Sequence, residues 1–280
     1  TSSRRQRQMC IRDRSIPYDI STSTYAGDGQ RCTFDRDVGQ VTNHRLYDLE
    51  ISNDGMKMLA VTRNAKADAD DDHAYVLSLT SPYDISSCQR SSTTTDIDSD
   101  AFLLGSNAGR TTEPAKNRLE GIEINEDGSK LFLLFMDNTA SDGVGGRIYE
   151  FNLSTPFDLS SSSISLVLDA GIILSEDTST GVHGPASIRF SANGKRLFVT
   201  SHAPSGTKRV TQISLTNAYD TSSFVIDGSY DLSNASYNNS QPRGIAFNSS
   251  GLKMYLTKDR SGNPNACLLY TSDAADEKRC

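Results

Sequence analysis

The chain has 280 residues, of which 28 are Lys or Arg and 35 are Asp or Glu, so its formal net charge is −7 at pH 7. This acidic balance argues against nucleic acid as a partner, because binding to a phosphate backbone depends on neutralisation by Lys and Arg. No apolar run approaches the ~20 residues that a membrane-spanning helix needs. The abundance of Ser, Thr, Asp, Asn and Gly, with no Trp, favours an all-β protein.

The two ends of the chain differ in character from the part between them. The N-terminal end contains MCIRD (Met9 to Asp13), and the C-terminal end contains CLLYTS (Cys267 to Ser272). Inverted copies of one DNA element, which resembles a transposon-end sequencing adapter, encode both stretches. We therefore expect residues 1–14 and 267–280 to be adapter-derived and disordered, and residues 15–266 to carry the fold.

After a short IPYDIST at Ile16 to Thr22, a repeated pattern begins with an alternating strand, a hairpin and a second strand. The first copy is YDLEISNDGMKMLAV, from Tyr47 to Val61. Alternation with a period of two predicts half-buried strands. A small or acidic polar residue followed by Gly predicts a tight hairpin, because Gly supplies the positive φ that such a turn requires. The four hairpin glycines are Gly55, Gly128, Gly194 and Gly251.

The second half of each repeat consists of a third strand, a turn and a fourth strand. The third strand is predicted at Ala74 to Leu79 in the first copy and at Ile148 to Leu153 in the second. The motifs Ser-Pro-Tyr-Asp and Thr-Pro-Phe-Asp then follow, in which Pro ends the strand and Asp caps the turn. A fourth strand such as Ser163 to Leu168 completes the unit.

Four antiparallel strands repeated in tandem predict the blades of a β-propeller. The predicted fold is thus all-β, a partial propeller with about three to four blades of a larger ring. The predicted blades cover residues 46–95, 115–169, 184–227 and 241–266, the last of them truncated. The repeats are longer than the ~40–45 residues of a WD40 blade. A β-sandwich or a β-solenoid is the alternative architecture.

The motifs GLKMYLT (Gly251 to Thr257) and LTSPYDISS (Leu79 to Ser87) resemble a family of tandem propeller repeats. Its pattern is F-N-x-D-G-x-K-M-Y followed by Y-x-L-S-T-P-Y-D-I-S, found in large proteins of environmental bacteria and their phages. The resemblance covers nearly all of Ile16 to Thr257. It implies a propeller fold and an extracellular, cell-surface or virion-associated location.

An acidic loop between the second and third strands of the first blade is the candidate metal site. Its carboxylates are Asp68, Asp70, Asp71 and Asp72. Ca²⁺ requires several oxygen ligands at once, which a run of this kind supplies. The alternative is a solvated hairpin tip. A second acidic stretch, Asp96, Asp98 and Asp100, matches the start of an EF-hand loop, but Ala101 replaces the Gly of the turn, so no calcium loop is expected there.

Nothing else in the sequence has the spacing of a catalytic or cofactor site. His44, His73, His183 and His202 lack the spacing of zinc ligands. There is no Gly-x-Ser-x-Gly motif and no phosphate-binding glycine loop, so no catalytic or cofactor-binding residue is predicted. The positions of Cys32 and Cys88 relative to their turns favour free thiols and leave a disulfide between them open.

These observations favour a non-catalytic extracellular or virion-associated propeller that binds a glycan or a protein through its variable loops. The alternative is a secreted hydrolase of the lactonase or glycosidase type, with catalytic groups around the central channel. The sequence leaves the ligand and the oligomeric state open.

Overall fold

The computed structural model of the chain consists of β-strands, turns and, within the residues it describes, one 3₁₀ turn at Ile85–Ser87. No helix in the described part of the chain has the length and apolar character needed to cross a membrane. The described residues are 8–10, 12–14, 23–25, 31–33, 44–64, 73–96, 117–137, 144–159, 164–166, 172–175, 184–202, 208–232, 240–260, 266–271 and 278–279.

Two short antiparallel ribbons precede four larger sheets. In the ribbons, β1 (Gln8–Cys10) pairs with β4 (Arg31–Thr33), and β2 (Arg12–Arg14) pairs with β3 (Ser23–Tyr25). The first large sheet contains β5 (His44–Ile51), β6 (Lys57–Asn64), β7 (His73–Leu79) and β8 (Cys88–Asp96). The second contains β9 (Asn117–Ile124), β10 (Lys130–Asp137), β11 (Val144–Leu153), β12 (Ile164–Leu166) and β13 (Ile172–Ser175).

The third and fourth sheets repeat this arrangement. The third contains β14 (Gly184–Phe190), β15 (Arg196–His202), β16 (Lys208–Leu215) and β17 (Phe224–Asp231). The fourth contains β18 (Ser240–Phe247), β19 (Lys253–Arg260), β20 (Ala266–Thr271) and β21 (Lys278–Arg279).

Each large sheet is a blade of a β-propeller. Its strands follow one another in sequence order as an antiparallel meander, and the first strands of successive sheets lie against one another: β5 against β9, β9 against β14, and β14 against β18. The predicted all-β fold with propeller blades is therefore confirmed, and the sandwich and solenoid alternatives are not adopted.

Apolar side chains fill the space between neighbouring blades. One buried cluster joins the first and second blades, a second joins the second and third, and a third joins the third and fourth. Aromatic rings cross these boundaries: the ring centroids of Phe132 and Phe190 lie 4.7 Å apart, and those of Phe198 and Phe247 lie 4.5 Å apart. Face-to-face burial of this kind is what holds consecutive blades together.

The observed elements differ from the predicted ones in the second blade. The fourth strand of the second blade is split, so that β12 and β13 both pair with β11, whereas one strand was predicted. In the fourth sheet, β20 contains the apolar run Cys267 to Tyr270 and pairs with β19.

The outer strand of the first blade begins at a disulfide-bonded cysteine. Cys88, for which the sequence favoured a free thiol, is in a disulfide. The strand Arg31–Thr33, which contains Cys32, lies against the 3₁₀ turn that directly precedes Cys88. Spacing along the sequence could not reveal this, because the strand is brought to the turn only by the fold.

We expect peptide mapping under non-reducing conditions to find Cys88 linked to Cys32, because the strand that contains Cys32 lies against the turn that directly precedes Cys88. The measurement is mass spectrometry of the proteolysed, alkylated protein before and after reduction. A Cys88→Ser variant provides the control and should leave Cys32 open to alkylation. Recovery of Cys32 as an alkylated thiol in the unreduced parent protein would contradict the assignment.

Candidate functional site

The hairpin between the first and second strands has the same geometry in every blade. The φ angles of Gly55, Gly128, Gly194 and Gly251 are 70°, 75°, 66° and 71°. The preceding side chain stabilises the turn, as in the second blade, where Oδ1 of Asp127 accepts a hydrogen bond from the Ser129 N–H at 2.9 Å. The four hairpins therefore share one turn geometry, with Gly at the positive-φ position.

The aromatic residue of the Pro-Tyr-Asp type turn covers the hairpin glycine in the first three blades. Tyr83, Phe157 and Tyr219 have positive φ angles of 58°, 59° and 55°. Each donates its backbone N–H to the glycine carbonyl, at 2.9, 3.0 and 2.9 Å. We refer to the resulting pairs as turn clasps: Gly55 with Tyr83, Gly128 with Phe157, and Gly194 with Tyr219. The two sequence motifs of each repeat are thus two halves of one contact.

A lysine of the second hairpin connects that blade to the third. Nζ of Lys130 donates to Oε1 of Glu150 at 2.6 Å and to the carbonyl of Tyr219 at 2.7 Å. The other carboxylate oxygen of Glu150 accepts from the N–H and the hydroxyl of Thr221, at 2.6 and 2.7 Å. The Glu150 side chain is 0% exposed. This ion pair, whose carboxylate is buried, therefore connects the turn of the third blade to the second blade.

The hairpins and the turn clasps occupy one end of the blades, the clasp face. First strands end there and second strands begin there, and third strands end where fourth strands begin. The strand ends at the opposite end, the loop face, are joined by the segments between second and third strands and between blades. These segments are 65–72, 97–116, 138–143, 176–183, 203–207, 233–239 and 261–265.

A group of charged side chains lies where the first strands of three blades meet. We name it the inner-strand junction: Asp48 and Glu50 on β5, Glu123 on β9, and Arg189 on β14. Nη1 of Arg189 lies 2.8 Å from Oε1 of Glu123 and also donates to Oε2 of Glu50. One guanidinium therefore links the first, second and third blades.

The junction occupies equivalent positions of the repeat. Glu50, Glu123 and Arg189 each stand two residues before the first polar residue of their hairpin. In the fourth blade the same position is Ala246. Asp48 reaches across to β9, where Oδ2 accepts a hydrogen bond from the Ile122 N–H at 3.1 Å. Gly121 leaves room for it, since a Cβ there would lie 3.3 Å from this oxygen.

Burial is the largest influence on the pKa of Asp48 and of Glu123. It raises the pKa of Asp48 from 3.8 to about 6, against the opposing effects of the Leu49 and Ile122 N–H groups and of Arg189. Burial also raises the pKa of Glu123 well above its ordinary value, with further increases from the nearby Glu50 and Asp48 charges. The junction thus contains more carboxylate than its single guanidinium can neutralise.

Two polar atoms of the junction are buried without a hydrogen bond to any other group in the described part of the chain. They are Oε1 of Glu123, whose 2.8 Å contact with Arg189 lacks hydrogen-bonding geometry, and Nε of Arg189. The Glu123 side chain is 5% exposed and that of Arg189 is 25% exposed. Burial lowers the pKa of Arg189, but attraction to Glu123 and Glu50 outweighs it, so the guanidinium stays charged.

The four candidate metal ligands, Asp68, Asp70, Asp71 and Asp72, lie outside the described residues. So do Asp98, Asp100 and His183, for which no metal was expected. Asp96, His44, His73 and His202 lie at strand ends on the loop face. Among the residues that the structure does describe, no cluster of three or more His, Cys, Asp or Glu could hold a metal ion. The inner-strand junction was missed by the sequence reasoning, although the charges at one repeat position were a readable signal.

No protein-family model and no curated protein sequence matches the chain. Solved structures with a similar backbone include the periplasmic gluconolactonase PpgL of Pseudomonas aeruginosa, at 12% identity and a TM-score of 0.46, with 86% of this chain and 57% of that chain covered. TolB of Acinetobacter baumannii is 13% identical with a TM-score of 0.41, and 84% of this chain and 43% of that chain are covered.

A third similar structure is the β-propeller domain of Cps50 (Swd1) from Myceliophteria thermophila. It is 12% identical with a TM-score of 0.39, and 84% of this chain and 72% of that chain are covered. The chain spans 57% of the length of PpgL and 43% of that of TolB. At these identities the similarity concerns the fold and not the activity.

Proposed function

We propose that the chain is a non-catalytic β-propeller module, extracellular or virion-associated, that binds a glycan or protein surface through the segments of its loop face. The observation that carries this proposal is the division of the repeat between the two faces. The clasp face is formed by turns of repeated geometry, whereas the loop-face segments range from 203–207 to 97–116 and share no motif. Variable segments on a rigid scaffold are typical of recognition surfaces.

The charged groups of the scaffold support a binding role for the loop face. Lys130, Glu150 and Arg189 contact other blades of the same chain, so they stabilise the scaffold rather than present charge to a ligand. An extracellular location is supported by the disulfide at Cys88, because disulfides form and persist in oxidising compartments. Asp68, Asp70, Asp71 and Asp72 belong to one loop-face segment, and we propose them as a Ca²⁺ site that shapes this segment.

A secreted hydrolase is the second candidate, and one observation favours it. Asp48 and Glu123 are carboxyls with raised pKa on the first strands, and active sites often contain such groups. Glu123 is 5% exposed, however, and its contact with Arg189 belongs to the inner-strand junction. This burial favours a structural role for the pair, so the binding function remains the main proposal.

The proposal is tested by replacing loop-face segments with Gly-Ser sequences of equal length and measuring binding to whole bacterial cells. We expect replacement of 65–72 or 203–207 to weaken binding at least ~10-fold, since each removes recognition contacts without altering the strands. Pretreatment of the cells with periodate or with protease distinguishes a glycan from a protein ligand. If EDTA weakens cell binding by the parent protein but not by the variant with 65–72 replaced, the Ca²⁺ site lies in that segment.

The matched control is Leu252→Ser, which changes an exposed residue on the clasp face and should leave binding unchanged. Undiminished binding by a protein with all loop-face segments replaced would rule out the proposal. Incubation with a panel of lactones and aryl glycosides tests the second candidate, and turnover that is lost in Glu123→Gln would establish it instead.

A further inference from the structure

The inner-strand junction has too little positive charge for the carboxylates it contains. Asp48, Glu50 and Glu123 share one guanidinium, that of Arg189. A divalent cation is not an adequate explanation, because no acidic cluster in the described residues has the geometry of a metal site. Glu50 and Glu123 both contact Nη1 of Arg189, so carboxyls of two blades lie close together, and a proton on Glu123 removes the repulsion between them.

We propose that the inner-strand junction is a proton-dependent contact that holds the first and second blades together more firmly at mildly acidic than at mildly alkaline pH. Geometry places the effect at the boundary between blades. Asp48 on the first blade accepts the Ile122 N–H of the second, and Glu123 on the second faces Arg189 of the third. Glu50 of the first blade contacts the same Nη1 as Glu123, so ionisation of Asp48 and Glu123 places like charges across the boundary between the first and second blades.

The sign of the pH dependence follows from the direction of the shifts. A carboxyl whose pKa is raised on folding binds its proton more tightly in the folded than in the unfolded chain. For Asp48 this stabilising contribution is fully present below pH 3.8, the ordinary pKa of the group, and is lost as the pH rises through its folded-state pKa of about 6. Glu123 shifts in the same direction, so its contribution is lost at a higher pH than that of an ordinary glutamate.

The other ionisable groups that face the junction do not reverse this trend. Arg189 remains charged across the relevant range, because the carboxylates raise its pKa. Tyr219, from the turn of the third blade, has its pKa raised by burial and then by Glu126, Glu123 and Asp127, so it remains neutral. The charge of Glu50 raises the pKa of both Asp48 and Glu123.

Carboxylates of the clasp face have the opposite pH dependence in a more acidic range. Hydrogen bonds from serine side chains, first among the causes, lower the pKa of Asp54, Asp127 and Asp220. A lowered pKa contributes stability above the ordinary value of 3.8, which is lost as the pH falls through the folded-state pKa. The two sets together predict greatest stability at mildly acidic pH.

The test compares thermal unfolding of the parent protein with that of Asp48→Asn, Glu123→Gln and the double variant between about pH 5 and about pH 8. We expect the parent to lose roughly 5–10 °C in Tm more than the double variant across this range, since the variant lacks the two carboxyls whose pKa is raised on folding. Asp227→Asn, an exposed carboxylate with lowered pKa, is the matched control and should follow the parent.

A second measurement uses the unaltered protein and so does not depend on the folding of any variant. Calorimetric unfolding near about pH 7 in buffers of different ionisation enthalpy should show proton release on unfolding, because the folded junction binds the extra protons. Equal slopes of Tm against pH for the parent and the double variant would overturn the proposal, as would the absence of proton release.

Discussion

The Gly128→Ala variant is expected to lower the free energy of unfolding by about 3–4 kcal/mol, one of the largest effects of any single substitution in this chain. Two costs add. Ala must adopt the φ of +75° that Gly128 has, which disfavours a residue with a Cβ. Its Cβ would also lie 2.2 Å from the Phe157 ring, so the turn clasp has to open. Urea denaturation followed by circular dichroism measures the change.

The fourth blade offers a control in which only the first cost is present. Gly251 has a φ of +71°, but a Cβ there would meet nothing within 4 Å. Gly251→Ala is therefore expected to lower the free energy of unfolding by only about 1 kcal/mol. The effect of Gly128→Ala should likewise shrink in a Phe157→Ala background, because the ring that it displaces is gone. Equal effects of the two Gly→Ala changes would show that the clasp contributes nothing.

The hairpins and turns of this fold could be predicted from the sequence because they depend on local residues. The alternation of apolar and polar residues marks a strand, and the Gly that follows marks its hairpin. Both signals lie within a few residues of each other, so the strands of each repeat could be predicted from that repeat alone. The contact of Tyr83 with Gly55 could not be predicted in this way, since it joins two turns that the chain brings together only after two more strands have formed. Its signal was that the two motifs occur as a pair in each of the first three repeats.

The charged contacts between blades depend on single residues that the repeat does not share. Glu150 is opposite Phe132 in its own blade, and its partner Thr221 lies in the turn of the next one. Arg189 meets Glu50 because the first and third blades approach at their inner strands. A pattern derived by comparing repeats with one another emphasises what they have in common. It therefore identified the scaffold and passed over the residues that distinguish its blades.

The Lys130→Met variant is expected to lower the free energy of unfolding by about 3 kcal/mol, because it removes the cation from a carboxylate that is 0% exposed. The methionine fills the space of the alkyl chain, so the loss reports the charge rather than a cavity. Thr221 still donates to one Glu150 oxygen. The expected loss of stability therefore lies at the lower end of the range for removing one partner of a buried ion pair. Chemical denaturation of parent and variant at neutral pH measures it.

Two further variants separate the buried charge from other consequences of the change. Lys57 is the equivalent lysine of the first blade, and its Nζ donates to the neutral hydroxyl of Ser78 at 2.8 Å. Lys57→Met is thus expected to lower the free energy of unfolding by only about 1 kcal/mol. Glu150→Gln added to Lys130→Met should recover part of the loss, since the amide oxygen still accepts from Thr221 while no buried charge is left unpaired. A double variant no more stable than Lys130→Met alone would mean that Lys130 acts through its bond to the Tyr219 carbonyl, which fixes the third blade's turn independently of the carboxylate.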